Sequence, residues 1–118
     1  MSCLLGLLDA VAPDLENQLK PQLKGVFGGL VRGYLPQTWV FVTEEETATL
    51  HVGPDGSARA SKGAADHPDV VIETTHARLA AALRTRDRSK VPPGATKVTP
   101  RTEKGRMAFQ FVRSRLGL

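Results

Sequence analysis

The chain has 118 residues, 41% of them hydrophobic and six aromatic, which suits one domain with a core built mainly from aliphatic side chains. No apolar run approaches the ~20 residues that a membrane-spanning helix needs. Cys3 is the single cysteine, so an internal disulfide is excluded and a reducing, cytoplasmic compartment is expected. The segment 1–11 has no Lys or Arg before its apolar stretch, which argues against a secretory signal.

The net charge of +4 is unevenly distributed. Residues 1–58 carry three Lys or Arg against seven acids (net −4), and residues 59–118 carry thirteen against five (net +8). A basic second half could face phosphate groups of lipids or of nucleic acid, or could be an ordinary solvated surface.

Residues 2–34 have apolar side chains at helical spacing. Pro13 and Pro21 predict breaks, and hence two or three short helices, because proline disrupts a helix interior. Four glycines between 25 and 33 weaken the second half. Residues 15–35 are therefore expected to form a flexible apolar cover, and residues 1–14 a helical extension.

Three strands follow, and the second and third of them form a hairpin. Trp39–Thr43 is a strong strand pattern, and 47–52 alternates between apolar residues facing inward and Thr47, Thr49 and His51 facing outward. Residues 53–56, Gly-Pro-Asp-Gly, predict a type I turn into a strand at 57–61. The triplet 44–46 (Glu-Glu-Glu) is expected to be a solvated bend.

The second half predicts a strand within 68–75, with Val70 and Ile72 facing one layer and Val71 the other, a helix at 76–84, a strand at 95–99 and a helix at 103–116. Thr74 or Thr75, and later Thr102, are suited to cap these helices. The apolar arc of the last helix is wider than a surface helix needs.

The motifs of common enzymes are missing from the sequence. There is no Gly-x-Ser-x-Gly, and the closeness of Ser61, His67 and Asp69 in sequence is weak evidence for a triad. His51, His67 and His76 do not show metal-ligand spacing. We therefore expect a protein that is not an enzyme and has no metal or cofactor.

The order of these motifs resembles the sterol carrier protein 2 (SCP-2) domain family over residues 15–116. The resemblance rests on Trp39 opening the first apolar strand, on the turn at 53–56, on the string Ala-Asp-His-Pro-Asp-Val-Val-Ile at 65–72, and on the late strand before an apolar C-terminal helix. The family's usual glycines around that late strand are reduced to Gly94. The resemblance implies an α+β fold, with helices on a five-stranded, mostly antiparallel sheet, and a tunnel for lipids or acyl chains.

On this basis the expected function is non-catalytic binding, and transfer, of a fatty acid, acyl-CoA or sterol-like lipid. The expected ligand-binding residues are Phe27, Leu30, Val31, Tyr34, Trp39, Phe41, Leu50, Val52, Ile72, Leu79, Leu83, Met107, Phe109, Phe111 and Val112. The expected contacts with an anionic membrane are Arg84, Arg86, Arg88 and Lys90.

Two alternatives remain open at this point. The first is a nucleic-acid binder, which the basic half permits; the sequence lacks interleaved aromatics for base stacking, so no nucleic-acid partner is expected. The second is an accessory domain that presents an apolar substrate to a partner enzyme.

Overall fold

The computed structural model describes residues 4–24, 33–85 and 96–112. These residues form three helices and five strands, in the order α1 (Leu4–Lys24), β1 (Gln37–Val42), β2 (Thr47–Val52), β3 (Ala58–Lys62), β4 (Val70–Glu73), α2 (His76–Thr85), β5 (Lys97–Pro100) and α3 (Glu103–Val112). The fold class is α+β, as the sequence predicts. Residues 113–118, with the last part of the helix predicted at 103–116, lie outside the described residues.

The five strands form one sheet in the order β3-β2-β1-β4-β5. Three neighbouring pairs are antiparallel, and the β1–β4 pair is parallel. The parallel pair arises because the chain leaves the edge strand β3, crosses to the far side of β1 and returns as β4. The prediction of a mostly antiparallel sheet is confirmed, with this crossover as its one departure among the described pairs.

Helix α1 corrects the prediction of two or three short helices. It runs without interruption from Leu4 to Lys24, with Pro13 and Pro21 inside it. Both prolines are exposed, so the carbonyl groups that lose their helical donors can be hydrated. Leu4 and Leu8 are fully buried on the opposite side, so packing against the sheet holds the helix together. Within the segment 1–14, which was predicted to be a helical extension, Leu4, Leu7, Leu8 and Val11 belong to the core.

The helices pack on one face of the sheet, and the side chains of that face alternate along each strand as expected. Val70 and Ile72 are fully buried there, while Val71 is half-buried on the other face beside exposed Glu73. Thr49 was expected to face solvent, but it is only 1% exposed. Its hydroxyl donates to the Gly63 carbonyl at 2.7 Å and accepts from the Ala65 N–H at 3.2 Å, so the crossover loop covers it.

Two predicted helix caps are confirmed. The Thr75 hydroxyl accepts from the Arg78 N–H at 3.2 Å, and the Thr102 hydroxyl accepts from the Gly105 N–H at 3.0 Å. The turn at 53–56 is also present, closed by the Gly56 N–H donating to the Gly53 carbonyl at 3.0 Å.

The triplet 44–46 is a bend, as predicted, but it is more than a solvated run of charge. The Glu44 carboxylate accepts from the His76 N–H, the first of α2, at 2.9 Å. Glu46 accepts from the N–H of Leu4, the first residue of α1. Glu45 lies 3.1 Å from Nδ1 of His76. One bend therefore binds the N-termini of α1 and α2, where a carboxylate is favoured by unpaired N–H groups and by the helix dipole.

Candidate functional site

The buried side chains between the sheet and helices α1 and α2 form one continuous cluster, which we call the apolar layer. From the helices it receives Leu4, Leu7, Leu8, Val11, Ala12, Leu79, Ala80, Ala82 and Leu83, and from the sheet Trp39, Phe41, Ala48, Leu50, Val52, Val70 and Ile72. Each strand contributes alternate residues because its side chains alternate between the two faces of the sheet.

Seven of the residues predicted to bind ligand meet in this layer. They are Trp39, Phe41, Leu50, Val52, Ile72, Leu79 and Leu83, each at most 7% exposed. They come from four separate elements, β1, β2, β4 and α2, so the fold brings together residues that lie far apart along the chain.

Aromatic residues lie at one margin of the layer. Phe109 of α3 packs against it and contacts Trp39, with ring centroids 5.7 Å apart and ring planes tilted by 50°. This is a favourable geometry for an aromatic pair. Tyr34 is half-buried, and Met107 is 36% exposed. Met107, on a different side of α3 from Phe109, thus leaves apolar surface open to solvent beside this margin.

Most of the other predicted residues lie outside the part of the chain that the structure describes. Phe27, Leu30 and Val31 lie outside the described residues, as do the side chains of Phe111 and Val112. Of the predicted membrane contacts, Arg84 is exposed near the end of α2, whereas Arg86, Arg88 and Lys90 lie outside the described residues.

The margin near Trp39 is held by a network of buried polar side chains. Gln37, 5% exposed, accepts from the Trp39 indole N–H at 2.9 Å and donates to the carbonyl groups of Tyr34 and of Lys104, the latter at 3.0 Å. A buried indole N–H needs such a partner, and here the amide fixes the ring orientation.

Asp69 is the second buried polar group of this network. Its carboxylate accepts from the Thr38 N–H at 2.9 Å and from the Thr102 hydroxyl at 2.7 Å, and it lies 3.8 Å from Nζ of Lys104. Its backbone carbonyl accepts from the Arg101 N–H at 2.7 Å. Asp69 therefore ties β1 and β4 to the start of α3, and its carboxylate is engaged in structure.

Gly105 allows this close approach. A Cβ atom at that position would lie 2.3 Å from the Asp69 carbonyl oxygen, well inside van der Waals contact. A glycine therefore lets α3 sit directly on the strand that carries Asp69, which in turn places Phe109 over Trp39.

A cleft of about 490 Å³ lies where β1 begins and β2 ends. Its lining residues are Glu16, Pro36, Gln37, Thr38, His51, Val52, Gly53, Ser57, Ala58 and Arg59. Val52 belongs to the apolar layer and Ala58 packs against it. The cleft thus adjoins the layer at the end of the sheet, and Val52 is the one predicted ligand residue in its wall.

The polar wall of the cleft is formed by a cross-strand pair. His51 on β2 lies opposite Arg59 on β3. His51 Nε2 is 2.9 Å from the Ser61 hydroxyl. The pKa of His51 is lowered, mainly by partial burial and also by the charge of Arg59, so the neutral imidazole is favoured.

The contacts of Ser61, His67 and Asp69 do not join them in a triad. Ser61 contacts His51, and Asp69 is bound by Thr38 and Thr102, while His67 is exposed. A nucleophilic serine needs a base that a third group orients, and the contacts recorded for His51 among the described residues do not include such a group. Among these residues, no three His, Cys, Asp or Glu side chains lie close enough to share a metal ion.

Over the described ranges, no helix is both long enough and apolar enough to cross a membrane.

The sequence did not predict that Gln37, His51 and Arg59 lie in one region. It also did not predict that Glu44 and Glu46 accept hydrogen bonds from the helix N-termini. The 47–52 alternation placed His51 outward but could not reveal its neighbour on β3, because register is set by the turn. A buried glutamine at a strand start carries no distinctive sequence signal.

Comparison with known proteins finds similarity among solved structures. No protein-family model matches the chain, and no curated protein matches it. A search of solved structures found a protein described as "UbiJ-SCP2 Ubiquinone synthesis protein", with a TM-score of 0.48 and 15% sequence identity, covering 90% of this chain and 88% of that one. At this level the likeness concerns the fold alone.

Proposed function

We propose that this protein binds an apolar ligand, such as an acyl chain, in the layer between its sheet and its helices. The observation that carries the proposal is the convergence of seven predicted ligand residues in one layer. The layer consists of aliphatic side chains and the two rings of Trp39 and Phe41. Apolar ligand sites in proteins are lined in this way, with a few polar groups at the margin.

The way in which the helices are held on the sheet supports the entry and release of a ligand. Glu46 and Glu44 accept hydrogen bonds from the N-termini of α1 and α2, and Glu16 of α1 accepts a further one from the Ala58 N–H of β3. Further along, the small side chains of Ala12 on α1 and of Ala80 and Ala82 on α2 lie in the layer beside larger aliphatic side chains. Local shifts of the helices between their hydrogen-bonded points can admit a ligand.

The ligand's identity, its transfer between membranes, and the presentation of a substrate to a partner enzyme belong to the same proposal. The exposed Arg84 is a candidate contact with an anionic membrane surface. The contacts of Lys104 and Arg106 do not favour nucleic acid as a partner, because Lys104 donates to the Pro36 carbonyl and Arg106 pairs with Glu103.

The proposal is tested by ligand-dependent stability. A ligand that binds only the folded state raises its melting temperature by mass action, by an amount corresponding to about 2.7 kcal/mol at a hundredfold excess over Kd. Saturated acids of four to eighteen carbons are compared by thermal unfolding below their critical micelle concentrations. We expect no shift for the shortest acid and an increasing shift with chain length.

Extraction of natively purified protein, followed by mass spectrometry, identifies any ligand retained from the cell. Absence of a shift across the whole series, together with a ligand-free extract, would refute lipid binding and leave a filled core.

A further inference from the structure

We propose that the cleft at the ends of β1 and β2 is the mouth of the apolar layer, and that it holds the anionic head group, a carboxylate or a phosphate, of the ligand. This inference rests on the proposed function and adds to it the place of entry and the chemical class of the head group.

The two ends of the layer differ. The bend 44–46 lies between β1 and β2 at one end of the sheet. There Glu44 and Glu46 accept hydrogen bonds from the first residues of α2 and α1. Gln37 lies opposite Val52 at the other end, where the cleft opens. Both ends of the layer carry hydrogen bonds, since Glu16 accepts from the Ala58 N–H at the second end, and the cleft gives this second end open volume.

Helix α1 runs from the end of the layer at the bend 44–46, the anchored end, to the cleft. Its first N–H donates to Glu46, and Glu16, twelve residues later, accepts from the Ala58 N–H at 2.7 Å beside the cleft. Twelve residues of helix rise about 18 Å, which matches the length of a six-residue strand. An acyl chain lying along α1 would therefore run from the anchored end toward the cleft.

The walls of the cleft suit an amphipathic molecule. Val52 and Ala58 continue the surface of the layer into it, whereas the polar Thr38, His51 and Arg59 come from the opposite face of the sheet, so the cleft wraps around the end of the strands. Arg59 is exposed, and the described residues give it no hydrogen-bond or ion-pair partner. A guanidinium group without a partner at the rim of a cleft can bind a carboxylate or a phosphate through two parallel hydrogen bonds.

One acid also faces this cleft. Glu16 is engaged by the Ala58 N–H, and its other oxygen lies 3.9 Å from Nζ of Lys20. The negative charge of Glu16 is therefore partly compensated, but it still repels a bound anion. This repulsion gives a second, independent test of the electrostatics of the site.

The experiment compares three probes that share a sixteen-carbon chain: palmitic acid, hexadecyl phosphate and uncharged hexadecanol. Binding is measured by displacement of a neutral fluorescent lipid from the full chain. We expect at least one charged probe to bind the wild type about tenfold more tightly than the alcohol, because charge-assisted hydrogen bonds contribute on this scale. The order of the two charged probes identifies the preferred head group.

Substitution Arg59→Gln should reduce this preference to about one, with little effect on the alcohol. The matched control is Lys62→Gln, which removes one positive charge from the exposed far end of the same strand and should preserve the preference. Glu16→Gln should strengthen binding of the charged probes by a few-fold. Circular dichroism confirms that each variant is folded.

If the alcohol binds as tightly as both charged probes, or if Arg59→Gln leaves the preference intact, the inference is overturned while the proposed function stands. If none of the three probes binds the wild type, the proposed function itself has failed.

Discussion

At the scale of the residue, Asp69 shows how a single buried carboxylate organises the margin of the apolar layer. Its side chain is bound by the Thr38 N–H and the Thr102 hydroxyl, which belong to different parts of the chain. Removing it would leave both donors without a partner. Asp69→Ala should lower the free energy of unfolding by about 3 kcal/mol, as measured by urea denaturation.

The matched control for Asp69 is Asp66→Ala, which removes an exposed acid three residues earlier. It should change the unfolding free energy by less than about 0.5 kcal/mol. Equal effects of the two substitutions would contradict the role assigned to Asp69.

Gly105 gives a second prediction at this scale. Alanine is intrinsically better than glycine in a helix by about 1 kcal/mol. Gly105→Ala should nevertheless destabilise the protein, because its Cβ would meet the Asp69 carbonyl at 2.3 Å. The displaced α3 would also draw Phe109 away from Trp39, so the emission of this single tryptophan should shift to longer wavelength. Gln110→Ala, at an exposed position of the same helix, should change neither property.

At the scale of the element, α1 shows why sequence rules for proline were insufficient. These rules account for the energetic cost of Pro13 and Pro21 in a helix. They do not account for the burial of Leu4 and Leu8, which offsets that cost. Pro13→Ala should therefore stabilise the protein by about 1–3 kcal/mol, since it restores a helical hydrogen bond at an exposed site. Pro54→Ala, in the turn after β2, should give no such gain because proline suits that position. A destabilising Pro13→Ala, measured by thermal unfolding, would argue against a continuous α1.

The bend 44–46 adds a pH dependence at this scale. Hydrogen bonds from the Glu44 and His76 backbones, reinforced by the charge of His76, lower the pKa of Glu44 below its ordinary 4.5. A carboxyl group whose pKa is lower in the folded state stabilises the protein above its unfolded pKa, and this stabilisation is lost as pH falls through the folded pKa. The wild type should therefore melt at a higher temperature than Glu44→Gln near pH 6, and the difference should shrink as the pH falls below about 4.5.

Asp9→Asn provides the control for this series, because it removes an exposed carboxylate of α1 away from the bend. A difference between wild type and Glu44→Gln that stays constant from pH 6 to pH 3 would exclude the capping role.

At the scale of the whole molecule, the sequence predicted the fold class, the strand pattern and the apolar faces, because these depend on alternation and on local turn and cap residues. Thr75 and Thr102 are caps by local chemistry alone, and both were identified. The parallel β1–β4 pair, the joining of Glu44 to His76, and the approach of His51 to Ser61 depend on how distant segments meet. No local pattern encodes those contacts, so the cleft could not be predicted.

The central claim is that an acyl chain lies in the apolar layer, in contact with Trp39. Trp39 is the single tryptophan and is 5% exposed, so its fluorescence reports on this layer alone. The most direct test is titration with stearic acids that carry a nitroxide at different positions along the chain, because a nitroxide quenches an indole only at close range. The account predicts saturable quenching that depends strongly on the nitroxide position, and that unlabelled stearic acid reverses. Saturable binding that leaves Trp39 unquenched for every label position would contradict it.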